Sequence, residues 1–142
     1  MLERQYEFDL EYETELIESI LQEENMAHFR EHFLSYPLYE QAQVYRNLPE
    51  SSRMILYRYL SPKEMSDMFE ILEEDVESIE EFLLEMDNQY AADMLASMYT
   101  DNAVDMLQEL EPENIPRYLR LMEPDVATRI REIISYEDET AG

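Results

Sequence analysis

Carboxylates dominate the chemistry this sequence could perform, and the stretch Thr100-Asp101-Asn102-Ala103-Val104-Asp105 spaces two of them usefully. Asp101 and Asp105 are four residues apart, which on a helix puts both on one face about a turn from each other. Asp101 also falls where a helix is expected to begin, a position where capping and the helix dipole favour negative charge. Asp87 and Asp93, one repeat earlier, form a looser pair. Such groups are hard oxygen ligands, suited to Mg2+ or Ca2+ and poor at selecting softer metals. A regular calcium loop needs an internal glycine, whereas the only glycine is Gly142, so any calcium site would be irregular. Mg2+ usually keeps several waters and takes one or two carboxylates, which this chain could offer in several places. The plainer reading makes Asp101 a helix cap and Asp105 solvated surface.

Other constellations are weaker. His28-Phe29-Arg30-Glu31-His32 matches the H-x-x-E-H pattern of inverted zinc peptidases. A peptidase also needs a third protein ligand and a substrate cleft, and the simpler account is two half-exposed histidines beside Phe29 and Phe33. The 10 Met and 11 Tyr residues fall mostly on helical stripes and read as core. Ser51, Ser52, Ser61 and Ser97 lack a glycine elbow or a neighbouring histidine. No catalytic arrangement stands out, and the chain is expected not to be an enzyme.

Composition bounds the elements that must carry these residues. At 142 residues the chain has one domain's length. It has no cysteine, which removes disulfides and thiolate metal sites. A single glycine excludes phosphate-binding glycine loops and the cheap turns of hairpins, so an all-α fold is expected. With 35 Asp and Glu against 10 Lys and Arg, the net charge is −25. That field repels nucleic acid and anionic lipid, so neither is an expected partner. Disorder is argued against by 45% hydrophobic residues at regular spacing. With no long apolar run and no signal-type N-terminus, the chain is expected to be soluble and cytosolic.

The regular spacing is a period of 12. Met86, Met98, Leu110, Met122 and Ile134 mark it, and Leu48, Leu60 and Leu72 keep the same interval before a slip to 14 between Leu72 and Met86. Offsets of five, eight and nine after an anchor are apolar too: Ala91, Met94 and Leu95; Ala103, Met106 and Leu107; Ile115, Tyr118 and Leu119. These share one helical face, and Pro112 and Pro124 open new units two residues past an anchor. The period is one short helix plus one tight turn. A helix of about nine residues cannot stand alone, so each must be buried by its neighbours, as in a right-handed, armadillo-like superhelix, or solenoid.

Along the chain, residues 1–9 are expected to be frayed. Helices follow from about Leu10 to Leu21, from a cap at Asn25 to Tyr36-Pro37, from Leu38 to Asn47, and from Arg53 to Leu60. Ser61-Pro62-Lys63-Glu64 reads as a capping box that starts another. The repeat domain spans 10–136, and 137–142 reads as the start of a linker.

The order of these repeats and the closing segment resemble the N-terminal cytosolic domain of the MgtE family of magnesium channels and transporters. The resemblance is carried by Leu60-Ser61-Pro62, Leu110-Glu111-Pro112-Glu113 and Met122-Glu123-Pro124-Asp125. It is carried also by Asp101-Asn102-Ala103-Val104-Asp105-Met106-Leu107 and by the closing Ser135-Tyr136-Glu137-Asp138-Glu139-Thr140-Ala141-Gly142. It implies a regulatory domain on the cytoplasmic face of a bacterial membrane. In that family Mg2+ bridges the domain's acidic surface to downstream paired cystathionine-β-synthase-type domains and a connecting helix, and holds a homodimeric pore closed. Asp101 and Asp105 match the acidic positions. The competing reading is an acidic helical-repeat interaction module, similar to parts of flagellar motor switch proteins, with no metal role.

Overall fold

The computed structural model describes the backbone of residues 8–72 and 76–141, and the side chains of all of these but 76–78 and 135–141. Every regular element among the described residues is helical, and the chain groups into two compact units, 1–60 and 61–142.

The first unit holds α1 (Leu10–Gln22), α2 (Met26–Phe33), α3 (Leu38–Asn47) and α4 (Glu50–Tyr59). Asp9 caps α1 by accepting the Tyr12 N–H at 3.2 Å. The ring of Phe8 stands edge-on to Tyr36. Of the residues expected to fray, these two are engaged, and 1–7 lie outside the described residues. α1 ends where Glu24 enters the left-handed region at φ 58°, a position glycine usually fills. Asn25 then caps α2 as expected, accepting the His28 N–H at 3.1 Å.

α4 begins three residues before the expected Arg53. Pro49 presets the entry, and its carbonyl accepts the N–H groups of Ser52 and Arg53, each at 3.0 Å. The polar run Glu50-Ser51-Ser52 shows no apolar period, which hid this first turn from the pattern. α1 packs on α3 and α2 on α4, each helix meeting the next but one. Between them Ile17, Leu21, Phe29, Phe33, Tyr45 and Leu56 are fully buried.

Two turns here are held by the same device. The Gln41 Nε2 donates to the Tyr36 carbonyl at 2.9 Å, and the Arg53 guanidinium donates to the Leu48 carbonyl at 2.5 Å. Donor and acceptor are five residues apart in each, and the two pairs are themselves 12 apart. Tyr45 and Tyr57, also 12 apart, join their hydroxyls at 2.7 Å. The period thus reaches back to Tyr36, itself buried.

The second unit holds α5 (Pro62–Leu72), α6 (Val76–Glu85), α7 (Asn88–Ser97) and α8 (Thr100–Gln108). A 3-10 turn at Pro112–Asn114, α9 (Ile115–Leu119) and α10 (Pro124–Ala141) complete it. The capping box forms in full: Ser61 Oγ accepts the Glu64 N–H at 3.1 Å, and Glu64 Oε1 accepts the Ser61 N–H at 2.9 Å. α5 packs on α7, α7 on α9 and α8 on α10, repeating the next-but-one rule.

Met86, Met98, Leu110 and Met122 are all buried, each just after a helix or short turn of helix has ended. The expected beat fails at Ile134, which is half-buried within α10; Ile130 is the buried residue there. No turn follows Ile134 because α10 runs on to Ala141, so residues 137–141, expected to open a linker, continue the helix. The unit after Leu110 also differs from the expected single helix. Pro116 has no N–H to return to Pro112, and the Ile115 N–H bonds to the Pro112 carbonyl instead, so the chain makes a 3-10 turn before α9.

Candidate functional site

α8 presents the predicted pair. Asp101 is the second residue of the helix and Asp105 lies one turn later, both exposed. Neither carboxylate takes a hydrogen bond or ion pair from the described residues. Asp101 is not the cap that the sequence suggested: Tyr99 holds that position and its side chain makes no capping bond. The work of capping comes from elsewhere. Glu70 of α5 accepts the Tyr99 N–H at 2.7 Å through Oε2 and the Asn102 side-chain amide through Oε1. Asp101 is therefore released from capping while keeping the favourable field of a helix N-terminus.

Asp87 and Asp93 are differently placed. Asp87 is a true N-cap of α7, accepting from Gln89 N at 3.1 Å and Tyr90 N at 3.4 Å. Asp93 accepts from the Gln89 side chain at 2.9 Å, and the same amide nitrogen reaches the Leu121 carbonyl at 3.0 Å. Both carboxylates are exposed but already occupied, which leaves Asp101 and Asp105 as the available pair. Two carboxylates match what Mg2+ takes from one surface, with water or a second surface completing the octahedron. Among the described residues no group of three or more His, Asp or Glu comes together around one point.

The capping by Glu70 is repeated. Glu80 of α6 accepts the Glu111 N–H and the Asn114 amide, both at 2.9 Å through Oε2. Tyr99 and Glu111 each follow an anchor directly, and Asn102 and Asn114 each lie four past one. Sequence reasoning took such carboxylates for solvated surface and missed both bridges. The available signal was the recurrence of Asn at the same offset after Met98 and Leu110. Glu70 and Glu80 are thereby committed to holding helix starts.

The H-x-x-E-H pattern does not assemble. His28 Nδ1 lies 2.8 Å from Glu23 Oε1, and His32 Nε2 lies 3.9 Å from Glu13 Oε1, so the two rings face different glutamates. Glu31 is exposed. Among the described residues no helix is long and apolar enough to cross a membrane.

Comparison with known proteins places this geometry. Residues 36–139 match the family model described as the MgtE intracellular N domain. The chain is 54% identical over 134 residues to a protein named magnesium transporter MgtE from Enterococcus faecalis, covering 94% of this chain and 30% of that protein. Its fold is similar to a crystal structure of the soluble part of a magnesium transporter, with a TM-score of 0.83 and 47% identity. That match covers 92% of this chain and 51% of the solved one. The chain thus spans under a third of the curated relative and about half of the solved chain. Matched over most of its length by sequence and by fold, the chain belongs to the MgtE intracellular N domain family.

Proposed function

We propose that this chain is the Mg2+-sensing regulatory domain of a magnesium channel or transporter, working at the cytoplasmic face of the membrane. Mg2+ ions bridge its acidic surface to downstream paired cystathionine-β-synthase-type domains and a connecting helix of the same polypeptide, in a homodimer whose pore they hold closed. The observation that carries this reading is the Asp101–Asp105 pair: two exposed carboxylates one turn apart, relieved of capping by Glu70 and with no partner among the described residues.

The physics is that of like charges. A chain of net charge −25 meets another acidic surface only with cations between them. Unit charges about 4 Å apart interact by about 4 kcal/mol at an effective dielectric near 20, so a few bridging ions set a two-state balance that follows their concentration. When Mg2+ falls, the surfaces repel and the pore is released. The isolated domain holds half of each site and binds Mg2+ weakly.

The test joins this chain to its downstream domains and follows protease sensitivity over a Mg2+ titration. Protection should rise with Mg2+, and Asp101→Ala with Asp105→Ala should shift its midpoint to higher concentration. Protection that ignores Mg2+, or an unmoved midpoint in the double variant, would count against the assignment.

A further inference from the structure

A hollow in the first unit brings together residues from two helices and the turn that follows them. Glu13 of α1, His32 of α2 and the turn residues Ser35, Tyr36 and Pro37 line about 390 Å3 of open space. Glu13 and His32 lie outside residues 36–139, so the family match does not account for their pairing. The chain has only two histidines, and they differ in what they touch. His28 Nδ1 is bonded to Glu23 Oε1 at 2.8 Å, with both side chains well exposed. His32 Nε2 stops 3.9 Å from Glu13 Oε1, beyond hydrogen-bond reach, and neither of its ring nitrogens is hydrogen-bonded among the described residues.

One buried tyrosine sets both members of this unbonded pair. Tyr36 donates its hydroxyl to Glu13 Oε1 at 2.5 Å and so fixes a carboxylate whose side chain is 17% exposed. Its ring also stands edge-on to the His32 imidazole, with centroids 5.4 Å apart. Metal-ligating side chains are commonly oriented in this way by the groups behind them. Two donors on one ion, with bonds of about 2.0–2.2 Å, stand roughly 3–3.5 Å apart. The observed gap of 3.9 Å exceeds that by about half an ångström, which a small turn of the partly exposed imidazole closes.

We infer that this hollow binds a divalent first-row transition ion of the Zn2+ or Ni2+ kind, held by His32 Nε2 and the Glu13 carboxylate. A neutral imidazole supplies the nitrogen that such ions favour, whereas Mg2+ prefers oxygen. Among the described residues no third His, Asp or Glu joins the pair, so water in the hollow fills the remaining positions. Two protein ligands are also what the α8 pair offers, but there both are oxygen. The added nitrogen is what separates the two sites in the ions they take. A bound ion adds a tie between α1 and α2. The inference does not rest on the Mg2+ reading, which concerns α8.

The experiment titrates Zn2+ into the 142-residue chain slightly above neutral pH, with Mg2+ in large excess to fill sites made only of carboxylates. Imidazole 1H–15N NMR spectra follow the two histidines separately. Saturable shifts are expected at His32, with affinity at least about tenfold higher than at His28, since ligands already oriented gain about that much. This comparison is made within the parent chain and holds even where a variant folds poorly. Glu13→Gln should weaken binding at His32 at least about tenfold. Saturating Zn2+ should raise the melting temperature of the parent, and His32→Asn should lose that rise while its metal-free melt reports its fold. Equal affinity at the two histidines would show adventitious imidazole binding only and overturn the inference. Unchanged affinity in Glu13→Gln, or displacement of Zn2+ from His32 by the Mg2+ present, would overturn it as well.

Discussion

Replacing Glu70 by alanine tests the bridges that organise the second unit. The substitution removes a carboxylate that accepts the Tyr99 N–H at 2.7 Å and the Asn102 amide, and it strips negative charge from the start of α8. A hydrogen bond to a charged group contributes about 1.5–3 kcal/mol when shielded. Glu70 is half-buried, so solvent competes, and about 2 kcal/mol for the whole bridge is a reasonable expectation after that discount. At this chain length about 1 kcal/mol moves the melting temperature by roughly 2–4 °C, so Glu70→Ala should melt about 4–8 °C lower. Urea unfolding followed by circular dichroism gives the free energy. A cycle with Asn102→Ala then isolates the side-chain pair, which should couple by about 1 kcal/mol. Stability within about 0.5 kcal/mol of the parent, as for an ordinary surface change, or a coupling near zero, would refute the structural role of Glu70 and with it the account of why Asp101 is free of capping.

Three further outcomes follow from other local features. Glu24→Gly should raise stability by about 1 kcal/mol in thermal or urea unfolding, since it relieves a side chain held at φ 58°. Ser61→Ala should cost about 1 kcal/mol by the same measurement, because it removes one half of the capping box that starts α5. Tyr118 is fully buried, and its hydroxyl lies near the Arg117 side chain without forming a hydrogen bond of good geometry, so Tyr118→Phe should be neutral or stabilising at pH 7. Burial raises the phenol above its ordinary value of 10.0 despite the opposing Arg117. Above pH 10 the unfolded chain therefore loses this proton first, and stability falls as pH rises; the phenylalanine variant should show a shallower alkaline loss in melts between pH 9 and 11.

What the sequence made legible was whatever repeats through apolar burial. The helices around Leu21, Phe33, Met65 and Leu95 follow from their stripes, and Asn25 and the Ser61–Glu64 box from local capping chemistry. The misses share a cause, which is that polar residues carry no period of their own. The first turn of α4 is polar, and Pro49 starts it through geometry rather than burial. The extension of α10 past Ile134 was hidden by acidic residues that read equally well as a linker. Asp101 looked like a cap because its neighbours in sequence offered no better one, while the actual capping group, Glu70, comes from 29 residues upstream of Tyr99. Spacing alone brought Asp101 and Asp105 to one face, but only the structure distinguishes them from Asp87 and Asp93, whose oxygens are already engaged.

The two ways of fastening a turn impose different orders of assembly. Gln41 and Arg53 grip carbonyls five residues behind them, so those turns close as soon as the next helix begins to be synthesised. The grips of Glu70 on Tyr99 and of Glu80 on Glu111 close loops of 29 and 31 residues. Closing such a loop costs roughly 1.5 kcal/mol more in chain entropy than closing one of five. A growing chain can thus fix the turns at Tyr36 and Leu48 while residues beyond 60 are still unmade, whereas the start of α8 waits for α5 to be in place. The Asp101–Asp105 face is then among the later parts of the molecule to take its final form.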